Sequence, residues 1–232
     1  MDPVLDRGGA GTRAPIAQAV SERGTARSAR AWAVLVVVTA LGLAADLWTK
    51  EVAFARLAGS PVVVDRAEVI ALLAEQRAAG RPLDLGTLRP AVSREVIPGV
   101  LEFTLVLNPG AVFGIGAGQR WVFVGFTVAA VGFAGWMFAR WTRPREHVAQ
   151  AGIGLLLSGG LGNLYDRLVY ACVRDFIHPL PRVRVGGWEV WPYVSNVADL
   201  LLLIGIGILL VHVWRTGEKK PKRSGPAPGP SR

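Results

Sequence analysis

The sequence predicts a mainly α membrane protein, with four transmembrane helices carrying a small external β-cradle and a short interfacial helix. Three observations predict it. Four long apolar runs, at 31–48, 121–139, 148–165 and 197–214, dominate a chain of 232 residues with positive mean hydropathy. Each is near the ~20 residues that cross a ~30 Å hydrocarbon core. Basic residues collect in the segments that four spans leave on one side, and strand and turn signals are confined to the loops on the other.

Residues 1–30 are rich in Gly, Ala, Ser and Arg and lack apolar periodicity, which predicts a disordered tail. The first apolar run starts late and ends in D-L-W-T-K, not at a small-residue cleavage site. It therefore reads as a retained helix and not as a cleaved signal peptide. In the long segment that follows, 65–79 has helical propensity with Val69, Leu72, Leu73 and Gln76 on one face, as expected of a short helix at the membrane interface. Next, R-E-V-I-P-G-V-L-E-F-T-L-V-L-N reads as strand, Pro98-Gly99 turn and strand. The second apolar run carries no charge, and the third is interrupted by Gly159, Gly160 and Gly162, which allow close helix approach. In the loop before the last run, Gly186-Gly187 separate two short alternating segments, a hairpin signal. Residues 216–232 repeat the tail composition. One membrane domain, 31–215, lies between two cytoplasmic tails.

The net charge of +9 suggests a polyanionic partner until its distribution is read. Arg23, Arg27 and Arg30 precede the first run; Arg140, Arg143 and Arg145 separate the second from the third; Arg215, Lys219, Lys220, Lys222 and Arg223 follow the fourth. Four spans put these on one side, which the positive-inside rule makes cytoplasmic. The charge reports topology and anionic lipid, and no nucleic acid is expected. Cys172 is the only cysteine, so no disulfide framework or thiolate cluster is expected, and it reads as a small apolar residue. His147, His178 and His212 are too scattered for a metal site, and no cofactor is expected.

Polar residues interrupt this pattern at one level. Asp46 and Lys50 stand four apart near the external end of the first helix, either as an i,i+4 ion pair or in contact with a ligand. Asn108 follows a strand and precedes Pro109 and Gly110, as turn chemistry or as an amide placed for a substrate carbonyl. Asn163, Asp166 and Arg167 share one face at the external end of the third helix, where Asp166 and Arg167 read as a local pair. Asn196 and Asp199 open the fourth helix, as a cap and a first-turn acid or as part of a site. Asp175 lies in V-R-D-F in the loop between them. Carboxylates at a membrane edge are costly and are usually retained for a task. Two brought together share a proton and can activate water.

Taken in order, D-L-W-T-K, N-P-G-A-V-F-G, G-N-L-Y-D-R, V-R-D-F and N-V-A-D resemble the blocks of the lipoprotein (type II) signal peptidases, over about 32–214. The resemblance implies an integral-membrane aspartic endopeptidase of the bacterial cytoplasmic membrane. It would cut a prolipoprotein on the N-terminal side of its diacylglyceryl-modified cysteine, with both termini cytoplasmic and the site external. By motif match it makes Asp175 and Asp199 the catalytic dyad. Asp46, Lys50, Asn108, Gly110, Asn163, Arg167 and Asn196 become the substrate-binding residues. Its partners are lipidated prolipoproteins and membrane lipid, and a monomer is expected. The segment 58–94 is an insertion relative to the family's usual connection. The alternative reading, a small four-helix proton-coupled transporter or channel using Asp46, Asp175 and Asp199, fits less well. Such sites sit toward the midplane and come with repeats, and none is visible here.

Overall fold

A computed structural model describes residues 25, 28–110 and 119–217. The expected tails fall almost wholly outside these residues, as do Ala111–Gly114 of the Asn108 block. Among these residues, five α-helices and five strands follow in the order α1 (Ala29–Arg56), α2 (Arg66–Ala78), β1 (Ser93–Ile97), β2 (Leu101–Asn108), α3 (Arg120–Arg140), α4 (His147–Val169), β3 (Val173–Pro179), β4 (Arg184–Val185), β5 (Trp188–Glu189) and α5 (Val197–Gly217).

α1, α3 and α5 are long and apolar enough to cross a membrane. α4 falls short on composition because Gln150, Ser158, Asn163 and Asp166 interrupt it, but it is the centre of the bundle, packed on α1, α3 and α5. Those polar side chains are buried among helices. Small residues let the neighbours close in: a Cβ on Gly152 or Gly154 would meet Leu209 or Val38 side chains at 3.0–3.3 Å.

α1 outruns the apolar run of its sequence by two turns, to Arg56. The apolar run ends before Lys50 because that residue is charged; the helix continues because Lys50 is neutralised by buried partners. At the other end Ser28 caps the helix, accepting from the Ala31 N–H at 3.3 Å.

The β-cradle is an antiparallel sheet in the order β1–β2–β3. Pro98-Gly99 closes β1 on β2 as expected, with Gly99 at φ 70°. The period of two along the strands sorts the sheet's faces. Leu105, Leu107, Arg174 and Phe176 point one way; Val106, Asn108, Asp175 and Ile177 point the other. The first face meets Ala53 and Phe54 of α1, Val69 of α2, Leu85 and Cys172 in one apolar core. The segment 58–94 thus packs Val69, Leu72, Leu73 and Leu85 under the sheet and ends in β1. Its helix is capped by Asp65, whose Oδ1 accepts from Ala67 and Glu68, and Gln76 clamps the Asp84 backbone from both sides at 2.7 and 2.8 Å. Ala171 takes φ 62°, the left-handed turn that ends α4 and sends the chain straight into β3.

Candidate active site

The second face of the sheet and the start of α5 enclose a cavity of about 840 Å³. Asn108, Asp175, Asn196 and Asp199 supply its polar wall, and Val106, Ile177, Trp191, Tyr193, Leu200 and Leu203 much of its apolar wall. The two carboxylates that the sequence singled out therefore open on one space.

Amides hold them there. Asn196 is the N-cap of α5, and it closes a reciprocal capping box with Asp199. The Asp199 N–H donates to Asn196 Oδ1 at 3.0 Å, and the Asn196 N–H donates to Asp199 Oδ2 at 3.3 Å. The Asn196 side-chain amide donates to Asp175 Oδ1 at 2.6 Å and to Asn163 Oδ1 at 3.1 Å. Asn163 in turn donates to Asp199 Oδ1 at 2.8 Å. Asn108 donates to Asp175 Oδ2 at 3.1 Å while its own oxygen accepts from the Gly110 N–H at 3.0 Å. The turn role and the site role of Asn108 are the two ends of one side chain.

Asp175 is only 2% exposed. Burial first, and then the negative charge of Asp199, push its carboxyl up to about 8. The amide donors from Asn108 and Asn196 pull the other way without offsetting this. The Cys172 thiol, buried under the sheet, is pushed up to about 12, which leaves it a packing residue and no nucleophile.

Residues 37–215 match the model of a family described as signal peptidase (SPase) II. The chain belongs to that family. It is 36% identical to a lipoprotein signal peptidase of Desulfitobacterium hafniense over 128 residues, 55% of this chain and 78% of that protein. It is 37% identical to one from Streptococcus pyogenes serotype M1 over 132 residues, 56% of this chain and 77% of that one. Its fold is similar to the solved structure of a bacterial membrane enzyme determined in meso at 2.3 Å resolution. The TM-score is 0.57 at 25% identity, covering 82% of this chain and 93% of the other.

In this signal peptidase II chain the remaining expected site residues divide by depth. Gly110 and Arg167 stand beside the amides that hold the two carboxylates: Arg167 donates to the Gly110 and Asn163 carbonyls at 3.3 Å and lies over the Phe123 ring. Asp46 and Lys50 do not reach the cavity. Both side chains are fully buried behind Asn163, so of the two readings the i,i+4 ion pair is the one that forms, sealed from solvent. Lys50 Nζ sits 2.8 Å from Asp46, 3.1 Å from Asn163 and 3.3 Å from Asp166. Asp46 Oδ1 accepts the Ala198 N–H at 2.8 Å, in the first turn of α5.

The reading of Asp166 and Arg167 as a local pair is corrected here. Successive helical residues point about 100° apart, so Asp166 turns inward while Arg167 turns to Gly110. Asp166 pairs with Arg174 at 3.0 Å and also accepts the Arg174 backbone N–H at 3.0 Å. Arg174, stacked on Tyr170 and bonded to Glu51 at 3.1 Å, is the residue that sequence reasoning missed. Its one signal is adjacency to Asp175 in a strand, which puts a long cation on the sheet's core face, where a buried partner is required.

Proposed function

We propose that this chain is a membrane aspartic endopeptidase that frees prolipoproteins of their signal peptides, with Asp175 and Asp199 as its catalytic pair. Membership of the signal peptidase II family gives the peptidase activity. The observation that carries the residue assignment is the amide bridge through Asn196 and Asn163, which holds both carboxylates at one cavity wall.

The pair shares one proton at neutral pH, and the raised pKa of Asp175 keeps that proton on Asp175. Asp199 takes a proton from a water as that water's oxygen attacks the scissile carbonyl carbon. Asp175 gives its proton to the carbonyl oxygen, neutralising the developing oxyanion. Collapse of the tetrahedral diol breaks the C–N bond, and the leaving amine takes up a proton from the pair. The peptide precedes the lipid-modified cysteine, whose diacylglyceryl chains stay in the bilayer beside the apolar wall formed by Leu200 and Leu203. Confining the substrate to the membrane plane converts part of the search for the bond into positioning.

In this reading Asn108, Gly110, Asn163, Arg167 and Asn196 orient the pair and the substrate backbone, whereas Asp46 and Lys50 act from behind as positioning residues. All four long helices α1, α3, α4 and α5 span the bacterial cytoplasmic membrane, with α4 shielded from lipid by its neighbours. Both termini are cytoplasmic and the dyad external, as the basic segments support. The transporter alternative is disfavoured because Asp46, its third relay acid, is locked to Lys50 away from the cavity.

The decisive experiment reconstitutes the protein with a diacylglyceryl-prolipoprotein and follows signal-peptide release. Asp175→Asn and Asp199→Asn are each expected to abolish cleavage while the protein stays folded. Cleavage retained by either would remove it from the dyad.

A further inference from the structure

The chain between β3 and α5 forms part of the cavity wall, but its tip does not. β4 and β5 pair with Arg184 opposite Glu189 and Val185 opposite Trp188, closed by Gly186 and Gly187 at φ 60° and 86°. Positive φ at both positions is what a two-residue hairpin turn requires. The Val190 N–H donates to the Val183 carbonyl at 2.8 Å and extends the ladder by one pair. Side chains alternate across such a ribbon. Val183, Val185, Trp188 and Val190 therefore share one face, and Arg184 and Glu189, ion-paired at 2.8 Å, share the other. The apolar face is bare, with Val185 71% and Trp188 82% exposed.

The distribution of tryptophan indicates what covers it. The chain has eight tryptophans. Trp32, Trp136, Trp141 and Trp214 lie toward the ends of α1, α3 and α5 that adjoin the basic segments, and Trp48 and Trp121 toward the opposite ends. Trp188 and Trp191 complete the second group. This is the two-belt arrangement of a protein whose aromatic residues sit at both membrane–water interfaces. The hairpin's return strand also leads into the cavity wall that the first turns of α5 complete. Trp191 and Tyr193 share the cavity wall with Leu200 and Leu203, which are exposed on a helix apolar enough to cross a bilayer. The root of the hairpin thus adjoins a surface that faces lipid.

We propose that the β4–β5 hairpin is a membrane foot. Val183, Val185, Trp188 and Val190 rest in the headgroup–acyl boundary of the external leaflet beside the cavity mouth, with Arg184 and Glu189 turned to water. The foot goes beyond the peptidase reading and does not depend on the dyad. It ties the strand that carries Asp175 and the helix that carries Asp199 to one depth, so the cavity opens where a lipid-anchored peptide would present itself.

Neighbouring positions on opposite faces make the test. Spin labels are placed on Trp188→Cys and, separately, Glu189→Cys in vesicles of phosphatidylethanolamine and phosphatidylglycerol; buried Cys172 needs no replacement. The label at 188 is expected to collide with oxygen several-fold more, relative to a water-soluble nickel chelate, than the label at 189. Equal ratios at the two positions would overturn the foot. So would protection at 188 that appears only when a signal peptide is added, since that makes the face a peptide-docking surface. Should labelling disturb the fold, vesicles of brominated lipid give the same answer. Wild type is expected to lose a larger fraction of its tryptophan fluorescence than Trp188→Phe, and equal losses would again overturn the proposal.

Discussion

Asn196 Nδ2 lies 2.6 Å from Asp175 Oδ1, and the same nitrogen lies 3.1 Å from Asn163 Oδ1, whose amide donates to Asp199. One amide therefore couples the orientation of a strand carboxylate to that of a helix carboxylate. Asn196→Ala keeps both acids but removes the bridge and the cap of α5. A buried carboxyl left without its donor costs about 1–3 kcal/mol. Felt in the transition state, that lowers kcat by roughly 10- to 100-fold. Single-turnover cleavage of a lipidated precursor measures it, and an unchanged rate would show that the bridge does not orient the pair.

The raised pKa of Asp175 predicts two pH effects. With Asp175 as the proposed acid, cleavage should fall as pH rises through about 8, where its proton is lost. Stability should move the same way. In the unfolded chain the carboxyl titrates near the ordinary aspartate value of 3.8, and in the fold near 8, so between these values the folded state holds the extra proton. Each pH unit across that window weakens the fold relative to a neutral side chain. Asp175→Asn should therefore melt higher than wild type, by a margin that widens from pH 4 to pH 8 and is constant above. Thermal unfolding in detergent across this range tests it. A margin independent of pH would mean that Asp175 is ionised in the fold.

Lys50 faces two buried carboxylates and an amide oxygen, with no exposed surface. Lys50→Met leaves Asp46 and Asp166 without their common cation, and breaking a buried pair from one side costs about 3–5 kcal/mol. The Arg174–Glu51 bond provides the contrast, because Glu51 is largely exposed. Glu51→Gln should cost less than about 1 kcal/mol. Melting temperatures of the two variants should differ clearly, and similar small losses would place Lys50 in contact with water.

The local elements were legible because their causes are local. Asp65 caps α2, Pro98-Gly99 and Gly186-Gly187 turn the chain, and strand alternation sorts the sheet's faces, all within a few residues. Asn163, Asn196, Asp175 and Asp199 were legible because polar groups at the ends of apolar helices have few structural uses. What the sequence hid was tertiary cover. For Asp46 and Lys50 an ion pair and a ligand contact both stayed open because nothing nearby in sequence shows α4 and α5 closing over them. Asp166 was assigned to its neighbour Arg167 because the turn at Ala171, which delivers Arg174, is made by an alanine in a conformation that favours glycine.

Gly159 tests how far the dyad depends on helix packing. A Cβ there would collide with the Ala198 carbonyl oxygen, a backbone atom that cannot rotate away, and would sit 2.7 Å from Leu202 Cγ. Ala198 lies between Asn196 and Asp199, and its N–H is held by Asp46, so α5 cannot retreat without disturbing both the cap and the carboxylate. Overpacking of this kind costs about 1–3 kcal/mol. Gly159→Ala should lower both the melting temperature and the cleavage rate. Gly207, further along α5, has nothing within 4 Å of an added Cβ, so Gly207→Ala should leave cleavage unchanged. A loss in both variants would point to a general need for helix flexibility; a loss confined to Gly159→Ala ties the chemistry to the contact between α4 and the first turn of α5.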